Sequence, residues 1–159
     1  MVRPVRVLLC GERLRGDDAA ALLAAELLPP KVRALAEVAE IGQLSVEALL
    51  DLPKGSSLVL VDAAVGLPPG EIAVLPLESI VRRGSGPVPA SSHSLPPGQV
   101  VALAKEMAGE LPRGVFVAIG AGSFTLGGGL SAEVRAGLPD FAAAIEREIR
   151  RLAEPRHDT

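Results

Sequence analysis

The chain has 159 residues, of which 48% are apolar and only three are aromatic, all phenylalanine. This length suits one domain with a substantial core, and that core must be built mainly from aliphatic side chains. The net charge of −3, without an interior basic run or aromatic stacking platforms, argues against a nucleic-acid partner. A single cysteine, Cys10, excludes an intrachain disulfide and indicates a reducing, cytoplasmic setting.

The apolar segments are short, which bears on membranes and on domain organisation. No segment approaches the roughly 18 uninterrupted apolar residues that indicate a membrane-spanning helix, so no membrane insertion is expected. The apolar run near the N-terminus is also too brief for the core of a signal peptide, and it predicts a strand. We expect a single domain over residues 1–153 and a disordered tail over residues 154–159.

Strands and helices alternate along the first half of the chain. The pattern predicts strands over residues 6–10, within 32–41 and over 58–61, and helices over 17–28 and 45–52. Pro29 and Pro30 end the first helix, and Ser45 caps the second. The run 58–61 is wholly apolar, which is typical of a strand buried on both faces, and it ends at Asp62.

The second half begins with a strand of opposite direction. A strand at about 71–77 follows a loop over 63–70, which is shorter than the dozen or more residues of a parallel crossover. This strand is therefore predicted to run antiparallel to the preceding one, at an edge of the sheet. The remaining elements are a Gly-, Pro- and Ser-rich stretch over 82–97, a helix over 98–110, a strand over 115–121 and a final helical region that Ser131 caps and that is interrupted near Pro139.

The order of elements predicts the fold class. It is an α/β fold with three αβα layers around a doubly wound, mostly parallel five-stranded sheet, whose one antiparallel strand lies at about 71–77. Ligands bind such sheets at the edge where the parallel strands have their carboxyl ends. Asp17, Asp18 and Asp62 fall on that edge, because each follows or ends a predicted strand.

These acidic residues allow two interpretations. Asp17 and Asp18 stand at the start of the first helix, where aspartate often caps backbone N–H groups and complements the helix dipole. Two carboxylates at a ligand-facing corner also suit a cation. Asp62 either caps a turn or is a carboxylate held at the ligand edge by a rigid strand.

His93 adds a third kind of donor to this edge. It is the only histidine inside the predicted fold, since His157 lies in the tail, and its loop is long enough to be typical of a functional segment. Asp18, Asp62 and His93 together offer two carboxylates and an imidazole. That set suits a borderline divalent ion such as Ni, Zn or Mn and leaves coordination positions open.

A nucleophilic hydrolase is an alternative use of the same loop. Cys10 with His93 is a possible nucleophile–base pair, although a cysteine buried in a strand is usually inert. Serines also flank His93, but they lack the strand–turn–helix context of a nucleophile elbow; they are Ser91, Ser92 and Ser94.

Four stretches, in matching order and spacing along nearly the whole chain, carry a resemblance to a known family. They are Leu-Leu-Cys-Gly-Glu-Arg-Leu-Arg-Gly-Asp-Asp over 8–18, Val-Leu-Val-Asp-Ala-Ala over 59–64, Ser-Ser-His-Ser-Leu over 91–95 and Gly-Gly-Gly-Leu-Ser-Ala-Glu-Val over 127–134. The chain resembles the hydrogenase maturation endopeptidases, which remove the C-terminal extension of the large subunit of nickel–iron hydrogenases.

The resemblance implies a fold, a site and a partner. The fold is a twisted α/β sheet with helices on both sides. The metal ligands are Asp18, Asp62 and His93, and the metal is nickel already loaded in the hydrogenase large-subunit precursor, so that enzyme and substrate share it. We expect these three residues to be catalytic, with Asp17 as a proton acceptor or cap.

Two departures from the family pattern lie beside the acidic pair. Glu12 stands where the family has Asn, and Ala19 where it has Gly. Two loops differ as well: Gly42-Gln43-Leu44 stands where the family has Gly-Gly-Thr, and Gly120-Ala121-Gly122 replaces a Pro-containing turn. These departures support the alternative of a non-catalytic member of the same fold that binds a metal or a partner without turnover. A hydrolase that uses Cys10 or a loop serine is the weaker alternative.

Overall fold

The computed structural model describes residues 5–82, 88–89 and 96–154, except for the side chains of 82, 88 and 89. The strands are β1 Val5–Cys10, β2 Ala36–Gly42, β3 Ser57–Val65, β4 Ile72–Pro76, β5 Val88–Pro89 and β6 Arg113–Gly120. The helices are α1 Ala20–Glu26, α2 Pro30–Arg33, α3 Val46–Leu50, α4 Leu77–Arg82, α5 Pro97–Ala108 and α6 Ala132–Ala153, and a 3₁₀ turn over Gly16–Ala19 precedes α1.

The sheet confirms the predicted architecture. Its order is β2-β1-β3-β6-β4, with parallel pairing from β2 through β6 and antiparallel pairing between β6 and β4. The antiparallel strand lies at the edge, as predicted, and its neighbour in the sheet is β6. The two-residue β5, which the sequence pattern did not indicate, pairs with the end of β3 at Ala64 and Val65.

The core is aliphatic and lies in two layers, one on each face of the sheet. Val59 and Val61 of β3 face α1 and α6, whereas the alternate residues Leu58 and Leu60 face α3, α4 and α5. All four side chains are at most 1% exposed. β3 is therefore buried on both faces, as its unbroken apolar run predicts, and whatever it carries at its carboxyl end is held rigidly.

Two boundary predictions are wrong. β3 continues past Asp62 to Val65, because β6 and β5 extend its hydrogen-bonded ladder. α6 is not interrupted at Pro139: it loses the one N–H that proline lacks, but Val134 and Phe141, on either side, are fully buried and hold it on the sheet.

Two short helices, α2 and α4, were not predicted from the sequence pattern. α2 begins with Pro30 at its first position, where a missing N–H costs nothing, and it occupies the start of the predicted second strand. α4 follows β4 directly. Within the described ranges, no helix has the length and apolar character needed to cross a bilayer. The segment that carries His93 and the tail after Glu154 lie outside the described residues.

Candidate functional site

The loop after β1 folds back tightly because two glycines allow it. Gly11 has a φ of 126°, and an added Cβ there would collide with the carbonyl oxygen of Asp18. Gly16 has a φ of 58°, and its Cβ would stand 2.6 Å from the carbonyl oxygen of Ser123. Positive φ angles and close backbone contacts both require glycine at these positions. The loop is thereby pressed against the acidic pair and against the loop after β6.

Asp17 is fully buried, and its carboxylate accepts four hydrogen bonds. Oδ2 accepts from the backbone N–H of Gly122 at 2.6 Å, from that of Ser123 at 2.9 Å and from the Ser131 hydroxyl at 2.9 Å. Oδ1 accepts from the Ser131 N–H at 2.7 Å. In return, the Asp17 N–H donates to the Ser123 carbonyl at 2.8 Å. Asp17 thus joins three parts of the chain at the carboxyl edge of the sheet.

These contacts correct the predicted capping roles. Asp17 does not cap its own helix, since the 3₁₀ turn has Arg15 at its N-cap and no side-chain cap. It binds instead the N–H of Ser131, the residue that immediately precedes α6. The Ser131 hydroxyl, which was predicted to cap α6, donates to Asp17 and makes no cap. The sequence signals were a Gly-rich turn and a serine before a helix, and neither indicates a partner more than 100 residues away.

Asp18 has a different environment, although it is the next residue. It is 5% exposed, and its Oδ2 accepts the backbone N–H of Glu12 at 3.0 Å. Its Oδ1 is buried without a hydrogen-bond partner in the described part of the chain. Burial raises the pKa of the Asp18 carboxyl, and the charge of Glu12 adds to the rise, whereas the Glu12 N–H and the charge of Arg15 lower it.

Asp62 lies within β3, on the face of the sheet that also carries Leu60. It is 4% exposed, and its Oδ1 accepts the N–H of the next residue, Ala63, at 2.8 Å. Burial raises the pKa of Asp62 well above its usual range, and the Asp18 carboxylate raises it further, against a smaller opposing effect of the Ala63 N–H. Asp18 is therefore close enough to Asp62 to disfavour its charged form.

Cys10 ends β1 on the same face of the sheet. It is 2% exposed, and burial raises the pKa of its thiol well above its usual value, with added contributions from the Asp62 and Asp18 carboxylates. A thiol in that environment resists ionisation, and the thiolate is the nucleophilic form. The environment of Cys10 therefore opposes the cysteine-hydrolase alternative. The serines around His93 lie outside the described residues, as does His93 itself.

The two buried carboxylates fit a divalent cation. The Asp18 carboxylate destabilises the charged form of Asp62, and a proton or a cation relieves that repulsion. One oxygen, Asp18 Oδ1, is buried without a partner, and carboxylate oxygens are ligands for hard and borderline divalent ions. No third His, Cys, Asp or Glu within the described ranges completes a metal-binding group with them. The described residues therefore supply two side-chain carboxylates to such a site and no third ligand of these four types.

Comparison with known proteins identifies solved structures with a similar fold. The chain has 25% identity to the nickel–iron hydrogenase maturation protease HybD from Thermococcus kodakarensis, with 95% of this chain and 99% of that chain covered and a TM-score of 0.69. It has 23% identity to the hydrogenase maturating endopeptidase HybD from E. coli, with 93% of each chain covered and a TM-score of 0.73.

A second maturation protease of Thermococcus kodakarensis, HycI, is also similar, with 23% identity over 94% of each chain and a TM-score of 0.64. No protein-family model matches the chain, and no curated protein matches it in sequence. The resemblance that the four sequence stretches carry is thus confirmed by structural similarity, and the fold is that of the hydrogenase maturation proteases.

Proposed function

We propose that the chain is an endopeptidase that removes the C-terminal extension of a nickel-loaded hydrogenase large-subunit precursor. The observation that carries the proposal is a pair of buried carboxylates, one with an unpartnered oxygen, at the carboxyl edge of this fold. Two solved structures that match more than nine-tenths of this chain are named as a hydrogenase maturation protease and a hydrogenase maturating endopeptidase, which supports the proposal. The single buried cysteine fits a cytoplasmic location.

In this proposal Asp18 and Asp62 hold the metal that the precursor brings, and His93 is the third ligand from this chain. A bound divalent ion polarises the scissile carbonyl or lowers the pKa of a water, which are the two roles of a Lewis acid in hydrolysis. The carboxylates must be deprotonated to bind it, and because their pKa values are raised, protons compete more strongly with the metal than at ordinary carboxylates. Hydrolysis then breaks one peptide C–N bond and consumes one water.

We assign Asp17 to positioning rather than to proton transfer. Its carboxylate already accepts four hydrogen bonds and has no exposed surface, so a substrate or water has no access to it. Asp18 follows it in the same 3₁₀ turn. Fixing Asp17 to the loop after β6 therefore fixes the backbone from which the Asp18 side chain projects.

The two departures beside the acidic pair do not disturb the site. Glu12 contacts Asp18 through its backbone N–H, which any residue except proline supplies, and its side chain is exposed. Ala19 has a φ of −79° in the right-handed helical region and does not need to be glycine. Since neither position deprives Asp18 of a contact, these two residues are compatible with the endopeptidase.

The test is cleavage of a nickel-loaded large-subunit precursor, followed by the mass of the trimmed product. We expect wild type to shorten the precursor, and Asp18→Asn, Asp62→Asn and His93→Ala to abolish cleavage. Asp140→Asn is the matched control, because Asp140 is an exposed carboxylate on α6 with no part in the site.

Other outcomes separate the alternatives. Binding of the precursor by wild type without cleavage identifies a non-catalytic binding protein. Full cleavage by Asp18→Asn removes the proposed site. If Cys10→Ala is correctly folded but inactive, the cysteine-hydrolase interpretation is restored.

A further inference from the structure

Two leucines at the carboxyl edge of the sheet are unusually exposed. Leu126 is 74% and Leu14 is 72% exposed, which makes them the most exposed of the large apolar side chains in the described part of the molecule. Leu14 lies in the loop after β1, and Leu126 lies in the loop after β6. We call these two residues the leucine pair.

The two loops that carry the leucine pair are joined through their backbones. The N–H of Gly127 donates to the carbonyl of Leu14 at 2.7 Å, and Arg15 and Leu126 form an antiparallel β-bridge. Both loops are also held by the buried Asp17 carboxylate, which binds the N–H groups of Gly122 and Ser123. The leucine pair is therefore presented by a braced support rather than by two independent loops.

The bracing gives the exposure a physical meaning. Apolar surface in water is unfavourable, and burying it against a partner recovers that free energy. Because folding has already fixed the supporting backbone, a partner that covers the pair has little ordering left to do there, which favours binding. Scattered exposed leucines need no explanation, but two on loops that are hydrogen-bonded to each other beside a candidate site do.

The position of the pair identifies what covers it. Leu14 lies shortly before Asp18 in the loop after β1. This loop and the loop after β6 both border the edge of the sheet where Asp18 and Asp62 lie. A molecule that brings a metal to these carboxylates must approach over this edge. Val65, which is 52% exposed at the end of β3, lies at the same edge, whereas Met107, which is 62% exposed near the end of α5, lies at the amino edge of the sheet.

The size of the pair limits the choice of occupant. A stable interface between two proteins buries roughly 1,200–2,000 Å². Two leucine side chains supply a small part of that area, too little to hold a second copy of this chain. They suit one or two apolar side chains of an extended polypeptide segment, which gains further contacts at the neighbouring site.

We propose that the leucine pair, braced by Asp17, is the docking surface for an apolar side chain in the polypeptide segment of the precursor next to its bound metal. The identity of the occupant rests on the proposed function, since that function supplies a protein substrate at this edge. The pair acts in substrate binding and takes no part in metal binding or bond cleavage.

The experiment compares Leu14→Asp, Leu126→Asp and the double variant with Met107→Asp, a matched control of similar exposure at the opposite edge. For cleavage of the nickel-loaded precursor, we expect KM to rise about tenfold in each single variant and kcat to change little, while Met107→Asp behaves as wild type. Titration with Ni²⁺ alone must give wild-type affinity in all of them. If an Asp variant unfolds early in a thermal melt, the corresponding Ser variant replaces it.

Each remaining outcome decides against the pair or against the function, but not both. An unchanged KM in the active double variant overturns the docking surface and leaves the peptidase intact. If wild type does not cleave, the proposed function fails, and the affinity of wild type and double variant for the precursor then decides the docking surface alone. A wild-type dimer that the double variant converts to a monomer shows a self-association surface and overturns the proposal.

Discussion

Asp17 and Asp18 are neighbours in one turn, both buried, yet they have opposite hydrogen-bonding environments. The Asp17 carboxylate accepts four hydrogen bonds, whereas the Asp18 carboxylate accepts one and keeps a buried oxygen without a partner among the described residues. A saturated carboxylate stabilises a fold, and an undersatisfied one awaits a proton or a cation. Residue type and burial do not distinguish a structural carboxylate from one that binds a ligand. The number of hydrogen bonds that each carboxylate accepts does distinguish Asp17 from Asp18.

The largest expected effect is the loss of stability in Asp17→Ala. The substitution leaves three backbone N–H groups and one hydroxyl at the carboxyl edge without their acceptor, and hydrogen bonds to a charged group contribute about 1.5–3 kcal/mol each before compensation by water. We expect the free energy of unfolding to fall by about 3–4 kcal/mol, as measured by urea unfolding.

Asp17→Asn sharpens this test, since its amide keeps one acceptor but turns an NH₂ toward a donor. We expect a loss nearly as large as in Asp17→Ala. Asp140→Ala, on the exposed face of α6, is the control and should change stability by less than about 0.5 kcal/mol. A loss below about 1 kcal/mol in both Asp17 variants contradicts the bracing role.

Asp18→Asn should give the reverse result. Because Oδ1 of Asp18 makes no hydrogen bond, we expect the free energy of unfolding to change by less than about 1 kcal/mol. Affinity for Ni²⁺, measured by isothermal titration, should fall about 100-fold, which is about 3 kcal/mol. If Asp17→Asn and Asp18→Asn both lose much stability and both keep most of their Ni²⁺ affinity, the distinction between the two acids is wrong.

The third prediction concerns Asp62 in the metal-free protein. Its pKa is raised in the folded state, so between the unfolded and folded pKa values the native state holds a proton that the unfolded state has lost. Stability therefore falls as pH rises through that window and stays reduced above it. Asp62→Asn removes the buried charge, and at pH 8 it should stabilise the metal-free protein by about 1–2 kcal/mol.

The pH dependence provides the control for this prediction. We expect the advantage of Asp62→Asn, measured by urea unfolding with a chelator present, to shrink as pH is lowered from 8 to 4, because wild type then becomes protonated at Asp62. Addition of Ni²⁺ should reverse the order and favour wild type. If the stability gained by Asp62→Asn is independent of pH, it comes from packing rather than from removal of the charge.

The sequence was sufficient to predict which acids meet, but not how each is bonded. The alternation of strands and helices fixes which strand ends share an edge, and the apolar run of β3 marks it as central, so Asp18 and Asp62 could be placed together. The roles of Asp17 and Ser131 depend on hydrogen bonds across 114 residues, which no local pattern encodes. The same reason explains the end of β3, since its extension past Asp62 depends on pairing with β5 and β6.

The smallest expected effect tests the surroundings of Asp18 through Glu12→Gln. The Glu12 backbone N–H still donates to Asp18 Oδ2 in this variant, so stability should be unchanged. Only the exposed charge is lost, and an exposed charge pair contributes about 0.2–1 kcal/mol. Removing it lowers the pKa of Asp18, because the charge of Glu12 raises that pKa, and it also weakens the attraction of the site for a cation.

We expect the lost attraction to outweigh the weaker proton competition at pH 8, so that Ni²⁺ affinity falls by about threefold or less. High salt should abolish the difference, because exposed charges are screened over about 3 Å at 1 M ionic strength. A salt-independent loss as large as that of Asp18→Asn makes Glu12 a ligand in its own right. In that case three carboxylates of this chain, those of Glu12, Asp18 and Asp62, would bind the metal.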